Sequence, residues 1–367
     1  MTPEPHAPPS ADGPRADAVT PSRAFAEHLD GVKTEVDRAL ARRLEANRAR
    51  AAQLGGGDLE AVADSMGSLV LRGGKRFRPA LLVAAFEAVG GEGGVEATLG
   101  ACEALELLQT YLLIHDDWMD GDDVRRGGPS VHAALRKHFG EPFRGDTFAI
   151  LAGDMASSMA QEALFNVRAA PGYVLAAARE FARLQVDVVF GQMLDVQGAA
   201  ESDGQLERMH DLKTGSYTVR GPLRMGAALA GANAAQQASL EQFAKPLGVA
   251  FQLRDDLLGT FGDPEKTGKS DASDLLQGKR TALVVEAQKD PDGAAFLNAV
   301  LGNPAASRAD VDALRSWLVA SGVKLRVEGR LDGLLVEASK ALEQADLRSH
   351  GRRVLLGAVE AIGRREA

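Results

Sequence analysis

Two short acidic clusters, each at the end of a predicted apolar helix, have the residue types and spacing needed to bind divalent cations. The first is residues 115–120 (HDDWMD) and the second is residues 252–256 (QLRDD). On a helix, Asp116 and Asp120 lie one turn apart on the same face, so their carboxylates could share a cation. An isolated DDxxD pattern is more often a solvated helix end, but clustered carboxylates on an apolar helix are costly without a counter-ion. Oxygen ligands on two helices therefore favour Mg²⁺, with Mn²⁺ as an alternative, and a diphosphate that completes the coordination.

Positively charged residues occur where a metal-bound diphosphate would need them. Lys75 and Arg78 lie in a glycine turn, residues 73–79 (GGKRFRP), that opens a helix whose free backbone N–H groups also favour anions. Further cations follow the first cluster, interrupt the middle of the chain and follow the second cluster: Arg125, Arg126, Lys213, Lys269 and Lys279. Each of them alone is as readily a surface charge, but their order around two acidic clusters indicates a diphosphate site.

The elements that would position these residues are predicted to be helices. Apolar residues recur at three and four positions over residues 23–54, and this helix should stop at Gly55. Residues 186–190 alternate like a strand when read alone, but they lie inside a longer helical pattern. Abundant alanine, 40 glycines and 5% aromatics favour close-packed helices in an all-α bundle. The same helical pattern covers residues 79–89, 97–119, 147–167, 173–196, 206–209, 222–230, 234–258 and 281–287.

Composition excludes several other classes of protein and site. The chain has 367 residues, and 42 basic against 51 acidic side chains give a net charge of −9, which argues against nucleic-acid binding. The single cysteine, Cys102, excludes an intramolecular disulfide and a multi-cysteine metal site, and is predicted to be buried. Residues 1–22 hold six of the 15 prolines and are predicted to be a disordered tail, leaving residues 23–367 as a single domain. No later segment keeps 18 apolar residues together without charge, so stable membrane insertion is not predicted and the cytoplasm is the expected location.

Five motifs, in this order along the chain, resemble those of the head-to-tail trans-prenyl diphosphate synthases. They span about residues 70–285 and are specific as a set, although no single motif would suffice. The resemblance implies an isoprenoid synthase type I helical bundle with a central active-site cavity, usually as a homodimer. The motifs are GGKRFRP (73–79), LLIHDDWMDGDDVRRGGPSVH (112–132), GQMLD (191–195), KTGS (213–216) and FQLRDDLLGTFGDPEKTGKSDASDLLQGKRT (251–281).

The resemblance also implies a reaction and a role for each matching residue. The reaction joins isopentenyl diphosphate to an allylic diphosphate with Mg²⁺, and Asp116, Asp120, Asp255 and Lys213 are its implied catalytic residues. The three aspartates are the implied metal ligands. The residues implied to hold isopentenyl diphosphate are Lys75, Arg78, Gln109 and Arg126. Those implied to hold the allylic diphosphate are Arg125, Lys213, Thr214, Gln252, Lys269 and Lys279.

Product length is predicted from the residues that precede the first cluster. Relatives without a two-residue insertion, and with an aromatic five positions before the motif as in Tyr111, often make the C20 product geranylgeranyl diphosphate. A C15 farnesyl diphosphate synthase is the alternative. On an ideal helix Leu112 lies about 40° from Asp116 and Tyr111 about 140° away, so either residue could limit the chain.

Two further alternatives, a terpene cyclase and a non-catalytic partner subunit, remain open but are disfavoured. A cyclase would not need the cations assigned to isopentenyl diphosphate, and a non-catalytic subunit would be expected to lose one acidic cluster. One departure from the family pattern concerns the second cluster, where Gly259 stands in place of a third aspartate. Asp263 and Asp274 could compensate for that missing carboxylate.

Overall fold

Helices form nearly all of the secondary structure in the computed structural model, which describes residues 19–197, 203–262, 273–303 and 305–364. This confirms the predicted all-α fold. The N-terminal elements are α1 (Pro21–Leu54), α2 (Gly57–Leu71), α3 (Phe77–Val89), α4 (Gly94–Asp120), β1 (Val124–Arg125), β2 (Gly128–Pro129), α5 (Val131–Phe139), α6 (Pro142–Phe165) and α7 (Pro171–Val196). The later elements are α8 (Asp203–His210), a π-helix (Asp211–Arg220), α9 (Gly221–Leu229), α10 (Ala234–Phe261), α11 (Ser273–Leu276), α12 (Ala282–Ala287), α13 (Pro291–Val300), α14 (Arg308–Ala320), α15 (Val323–Glu343) and α16 (Ser349–Gly363).

Local sequence explains where the long helices begin and end. The Thr20 side chain accepts a hydrogen bond from the Arg23 backbone N–H, and Pro21 occupies the first turn, where its missing N–H costs nothing. Helix α1 therefore begins two residues inside the segment predicted as the tail, and it ends before Gly55 as predicted. Residues 1–18 of that segment lie outside the described residues.

Helix α4, which carries the first acidic cluster, is a core helix. It packs most extensively against α6, and its buried face includes Cys102, Leu105 and Leu108. By length and composition it could cross a membrane, but 61% of its most apolar window is buried inside the protein. Burial raises the pKa of the Cys102 thiol to about 12, which suits the predicted inert core cysteine.

The elements that bear the predicted site residues converge between α4, α7, the π-helix and α10. Helix α7 and the π-helix approach closely because position 191 is glycine: a Cβ there would overlap with the Lys213 backbone. Residues 186–190 belong to α7, so the strand-like alternation within them does not produce a strand. A π-helix is a wider turn than an α-helix and is often found at functional sites. Here it contains Lys213 and Thr214.

The C-terminal helices form a separate hydrophobic cluster behind the second acidic cluster. Helices α12 and α15 pack on α10, and α13 and α14 pack on those two helices. The cluster includes Leu253 of α10, Leu283 of α12 and Leu314 of α14. Helix α16 returns to the same region, where the Arg254 guanidinium donates hydrogen bonds to the carbonyls of Ile362 and Gly363. The end of α16 is thereby attached to the segment of α10 that bears Asp255.

Candidate active site

Most of the predicted site residues line one polar chamber of about 320 Å³. The chamber lies among α4, α10 and the π-helix, and its walls also include residues that precede α12. Lys75, Arg126 and Asp120 are not in the lining, although Asp120 borders a neighbouring hollow. Lys269 and Asp263 lie outside the described residues. The predicted residues in the chamber lining are Arg78, Gln109, Asp116, Arg125, Lys213, Thr214, Gln252, Asp255 and Lys279.

A second, apolar cavity of about 540 Å³ adjoins the chamber. One wall is formed by residues of α4, including Tyr111 and Leu112, and the other by residues of α7. The two cavities share five lining residues: Leu113, Asp116, Lys213, Thr214 and Tyr217. A ligand could therefore place a charged group in the chamber and an apolar chain in this channel.

At the junction, acidic and basic side chains neutralise one another. Lys213 Nζ lies 2.5 Å from Asp195 Oδ2 and 3.5 Å from Asp116 Oδ1, and Lys279 Nζ lies 3.6 Å from Asp120 Oδ2. Burial raises the pKa of the Asp120 carboxyl, and the charge of Asp116 raises it further. Burial would lower the pKa of Lys213, but the nearby carboxylates outweigh it and raise the pKa. These aspartates are thus close enough to repel one another and depend on cations.

The middle aspartate of the first cluster has a different environment from its neighbours. Asp117 is fully buried, and its Oδ1 accepts a 2.6 Å hydrogen bond from Arg125 Nε. Burial raises the pKa of this carboxyl to about 6, although Arg125 acts in the opposite direction. Arg125 also approaches Asp122 and Asp116, at 3.4 and 3.8 Å. Asp117 therefore orients Arg125 towards the chamber.

The two aspartates of the second cluster have different environments. Gln252 Nε2 donates to Asp256 Oδ1 at 2.8 Å, one full turn along α10. The other oxygen of Asp256 accepts a 2.8 Å bond from the Ala282 backbone N–H. Asp256 is almost completely buried. It therefore connects α10 to α12, while Asp255 lines the chamber.

Positive charge is concentrated beside the chamber at the start of α3. The Arg78 guanidinium lies over the Tyr217 ring and donates to Thr218 Oγ1 at 2.8 Å, while its buried Nε has no hydrogen-bond partner among the described residues. Burial lowers the pKa of Arg126, and the nearby charges of Arg76 and Arg78 lower it further, although the charge of Glu106 acts in the opposite direction. Closely spaced, partly desolvated guanidinium groups favour an anionic ligand.

The donor set fits a magnesium ion that keeps part of its coordination for water and substrate. Among the described residues, no three His, Cys, Asp or Glu side chains are grouped closely enough to hold a metal ion by themselves. Mg²⁺ is commonly bound through one or two carboxylates together with substrate phosphates. Asp116, Asp120 and Asp255 supply carboxylates on two sides of the chamber region, which matches that mode of binding.

A family model described as polyprenyl synthetase matches residues 60–318 of this chain. The chain belongs to the polyprenyl synthetase family. It is 36% identical over 241 residues to the short chain isoprenyl diphosphate synthase of Methanocaldococcus jannaschii, covering 64% of this chain and 69% of that one. It is also 36% identical over 222 residues to the geranylgeranyl diphosphate synthase of Methanosarcina mazei, covering 60% of this chain and 65%, less than two thirds, of the relative.

Solved structures match a larger share of this chain than the two sequence relatives do. The geranylgeranyl pyrophosphate synthase of Corynebacterium glutamicum, complexed with isoprenyl diphosphate and magnesium, gives a TM-score of 0.84 at 30% identity, covering 93% of this chain and 99% of that one. The geranylgeranyl pyrophosphate synthetase of Pyrococcus horikoshii gives 0.77 at 26% identity, with the same coverage. The predicted family, fold and prenyltransferase class are confirmed.

Several residues of the synthetase site were not assigned a role from the sequence. Asp195 pairs with Lys213, and the GQMLD motif that contains it was the available signal. Tyr217 follows Lys213 by four residues and borders both cavities. His132, the last residue of the second motif, lies outside both cavities and is fully buried beside Ser130, with 3.1 Å between Nδ1 and Oγ. Arg280 and Thr281 complete the chamber wall.

Proposed function

We propose that this synthetase condenses isopentenyl diphosphate with an allylic diphosphate and that its main product is the C20 compound, geranylgeranyl diphosphate. The observation that carries the proposal is the direct connection between the polar chamber and the apolar channel at Asp116, Lys213 and Thr214. An allylic diphosphate has a charged head and an apolar chain, and this pair of cavities offers one compartment for each. The positively charged side chains around Arg78 provide a second subsite that could bind an anion, and a terpene cyclase does not need such a subsite.

The residues around the junction would favour ionisation of the allylic substrate. Bound Mg²⁺ would supply Lewis-acid chemistry by neutralising the diphosphate that leaves the primary carbon. Lys213, Arg125 and Lys279 would hold the same leaving group by charged hydrogen bonds that strengthen as negative charge develops. Leu113 and Tyr217 line the adjoining channel, and their apolar surfaces would face the allylic cation. The double bond of isopentenyl diphosphate would then attack this cation, and transfer of a proton to the departed diphosphate would give a chain that is five carbons longer.

A direct assay tests the proposed reaction. The purified protein is incubated with isopentenyl diphosphate, Mg²⁺ and each of the C5, C10 and C15 allylic primers, and the products are sized. We expect C20 to predominate and the reaction to stop when EDTA removes the metal. A C15 end product would favour the farnesyl alternative, and no condensation with any primer would contradict the proposal. Release of a cyclic hydrocarbon from a primer alone would support the cyclase.

Tyr111→Ala is expected to lengthen the main product by at least one five-carbon unit. The Tyr111 ring lies about 7.5 Å along α4 from Asp116, lines the channel and packs edge-on against His115 at 4.8 Å between ring centroids. Removing the ring would extend the space available to the growing chain. Product sizing with the wild-type primer is the measurement.

Leu112→Ala is the comparison for this variant, because Leu112 also lines the channel. Leu108, one turn before Leu112 on α4, is buried in the core and is not in the channel lining. An unchanged product from Tyr111→Ala together with a longer one from Leu112→Ala would transfer the length-limiting role to Leu112.

The proposal includes a homodimer formed through the outer face of α6 and α7. These helices carry four large apolar side chains that are each more than half exposed: Phe143 and Leu151 on α6, and Val186 and Phe190 on α7. Large exposed apolar side chains are typical of a protein interface, and a two-fold dimer buries the same face on both copies. Sedimentation should give a dimer for the wild type and a monomer for Phe190→Glu. Leu325→Glu, at an exposed apolar site on α15, is the control, and a monomeric wild type would contradict the proposal.

A further inference from the structure

Arg125 and Arg126, which are assigned to different diphosphates, lie next to each other on a very short hairpin. Strands β1 and β2 contain two residues each, with Arg125 paired to Gly128, and the turn between them is Arg126-Gly127. Both turn residues have positive φ, 52° and 71°, as in the type I′ turns of two-residue hairpins. A two-stranded hairpin is marginally stable by itself. Its position must therefore be set by contacts with the rest of the protein.

Arg72, which follows α2, makes such contacts with both strands. Its Nη1 donates to the Arg125 carbonyl at 2.9 Å and its Nη2 donates to the Pro129 carbonyl at 2.7 Å, while Nε donates to the Ser68 carbonyl at 3.2 Å. One planar guanidinium thus connects the end of α2 to each strand of the hairpin. Gly128 leaves the space for it, since a Cβ at that position would overlap with the Arg72 side chain.

A second arginine, Arg126, makes hydrogen bonds in the opposite direction, from the hairpin to the end of α2 and the loop that follows it. Arg126 Nη1, on the hairpin, donates to the Leu69 carbonyl at 3.3 Å and also to the Gly73 carbonyl. Gly73 begins the loop that bears Lys75 and leads to Arg78. The hairpin and this loop are therefore joined by reciprocal arginine–carbonyl hydrogen bonds.

We propose that Arg72 is a positioning residue that keeps the two diphosphate subsites in register by fixing the hairpin against the end of α2. This inference rests on the proposed function, because the subsites are those of isopentenyl diphosphate and the allylic diphosphate. Arg72 is not in the lining of the polar chamber, so its effect would pass through Arg125 and Arg126. Loss of Arg72 should therefore affect both substrates.

Kinetics of Arg72→Ala and Gly128→Ala, alone and combined, test the inference. We expect Arg72→Ala to raise KM about tenfold for each diphosphate, with a smaller change in kcat. Gly128 has an ordinary backbone conformation, so Gly128→Ala should act by displacing the Arg72 guanidinium and should give the same pattern. In the Arg72→Ala background its additional effect should be less than twofold, because the overlapping group is gone. Arg48→Ala, which removes an ion pair between α1 and α2, is the control and should leave both KM values unchanged.

Amide hydrogen exchange at residues 124–128 separates a failure of this inference from a failure of the proposed function, because it needs no turnover. In the free proteins, Arg72→Ala and Gly128→Ala should each accelerate exchange in the hairpin at least tenfold, whereas Arg48→Ala should not. Unchanged exchange would overturn the inference even in an inactive protein. Unchanged KM values in an active protein, or a Gly128→Ala effect that persists in full without Arg72, would also overturn it.

Discussion

Asp116→Ala is expected to lower the rate of condensation by about 10²- to 10⁴-fold. Asp116 borders both cavities and lies 3.5 Å from Lys213 Nζ, so its carboxylate is placed where the diphosphate would leave the allylic chain. Thermal unfolding should change little, since the loss of two partly exposed ion pairs, with Lys213 and Arg125, is offset by relief of the repulsion with Asp120. Turnover is measured at saturating Mg²⁺ and saturating concentrations of both substrates.

Glu96→Ala is the matched control for this variant. Glu96 is an exposed acid in the first turn of the same helix, about 30 Å along its axis from Asp116. It should retain the wild-type rate and the wild-type response to Mg²⁺. Near-normal turnover in Asp116→Ala would defeat the assignment of Asp116 as a metal ligand.

Lys213→Met is expected to lower turnover about 10²- to 10³-fold and also to destabilise the fold. Its ammonium group contacts Asp195 at 2.5 Å at the junction of the two cavities, where charge on the leaving diphosphate would develop. Methionine retains most of the apolar stem of lysine but leaves Asp195 and Asp116 without this cation. An unpaired, partly buried carboxylate is costly, so the midpoint of thermal unfolding should fall.

The double variant Lys213→Met with Asp195→Asn separates the two effects. Replacing the carboxylate by an amide removes the uncompensated charge, so thermal stability should return towards the wild type while turnover remains low. Lys340→Met, at an exposed position in the last turn of α15, controls for the loss of a lysine. Recovery of turnover in the double variant would mean that Lys213 acts by balancing Asp195 and not by contacting the substrate.

The helices and the acidic clusters could be predicted because each depends on residues that are close together in the sequence. The end of α1 at Gly55 and the helical state of residues 186–190 follow from apolar spacing over a few turns. The placement of Asp116 and Asp120 on one face follows from helix geometry alone. Motif order was also sufficient to identify the family, since charged residues at set spacings along the chain need no tertiary information.

The partners of individual side chains were less predictable, because helical geometry allows more than one. Gln252 can reach an acid three or four residues away, and packing against α12 selects Asp256 at four. In the same way, adjacent acids in the first cluster have separate environments: Asp117 faces into the core towards Arg125, whereas Asp116 faces the cavities. Burial made that distinction, and burial depends on the neighbouring helices.

The amino-acid sequence by itself determined an all-α chain of the prenyl synthase type, with two acidic clusters and an ordered set of cations, because periodicity and residue chemistry are properties of short segments. Tertiary structure alone decided that an apolar channel meets the polar chamber at Asp116 and Lys213, and that Arg72 and Arg126 join two loops more than 50 residues apart. Cavities and such long-range hydrogen bonds arise from the packing of distant helices, and no pattern of nearby residues specifies them.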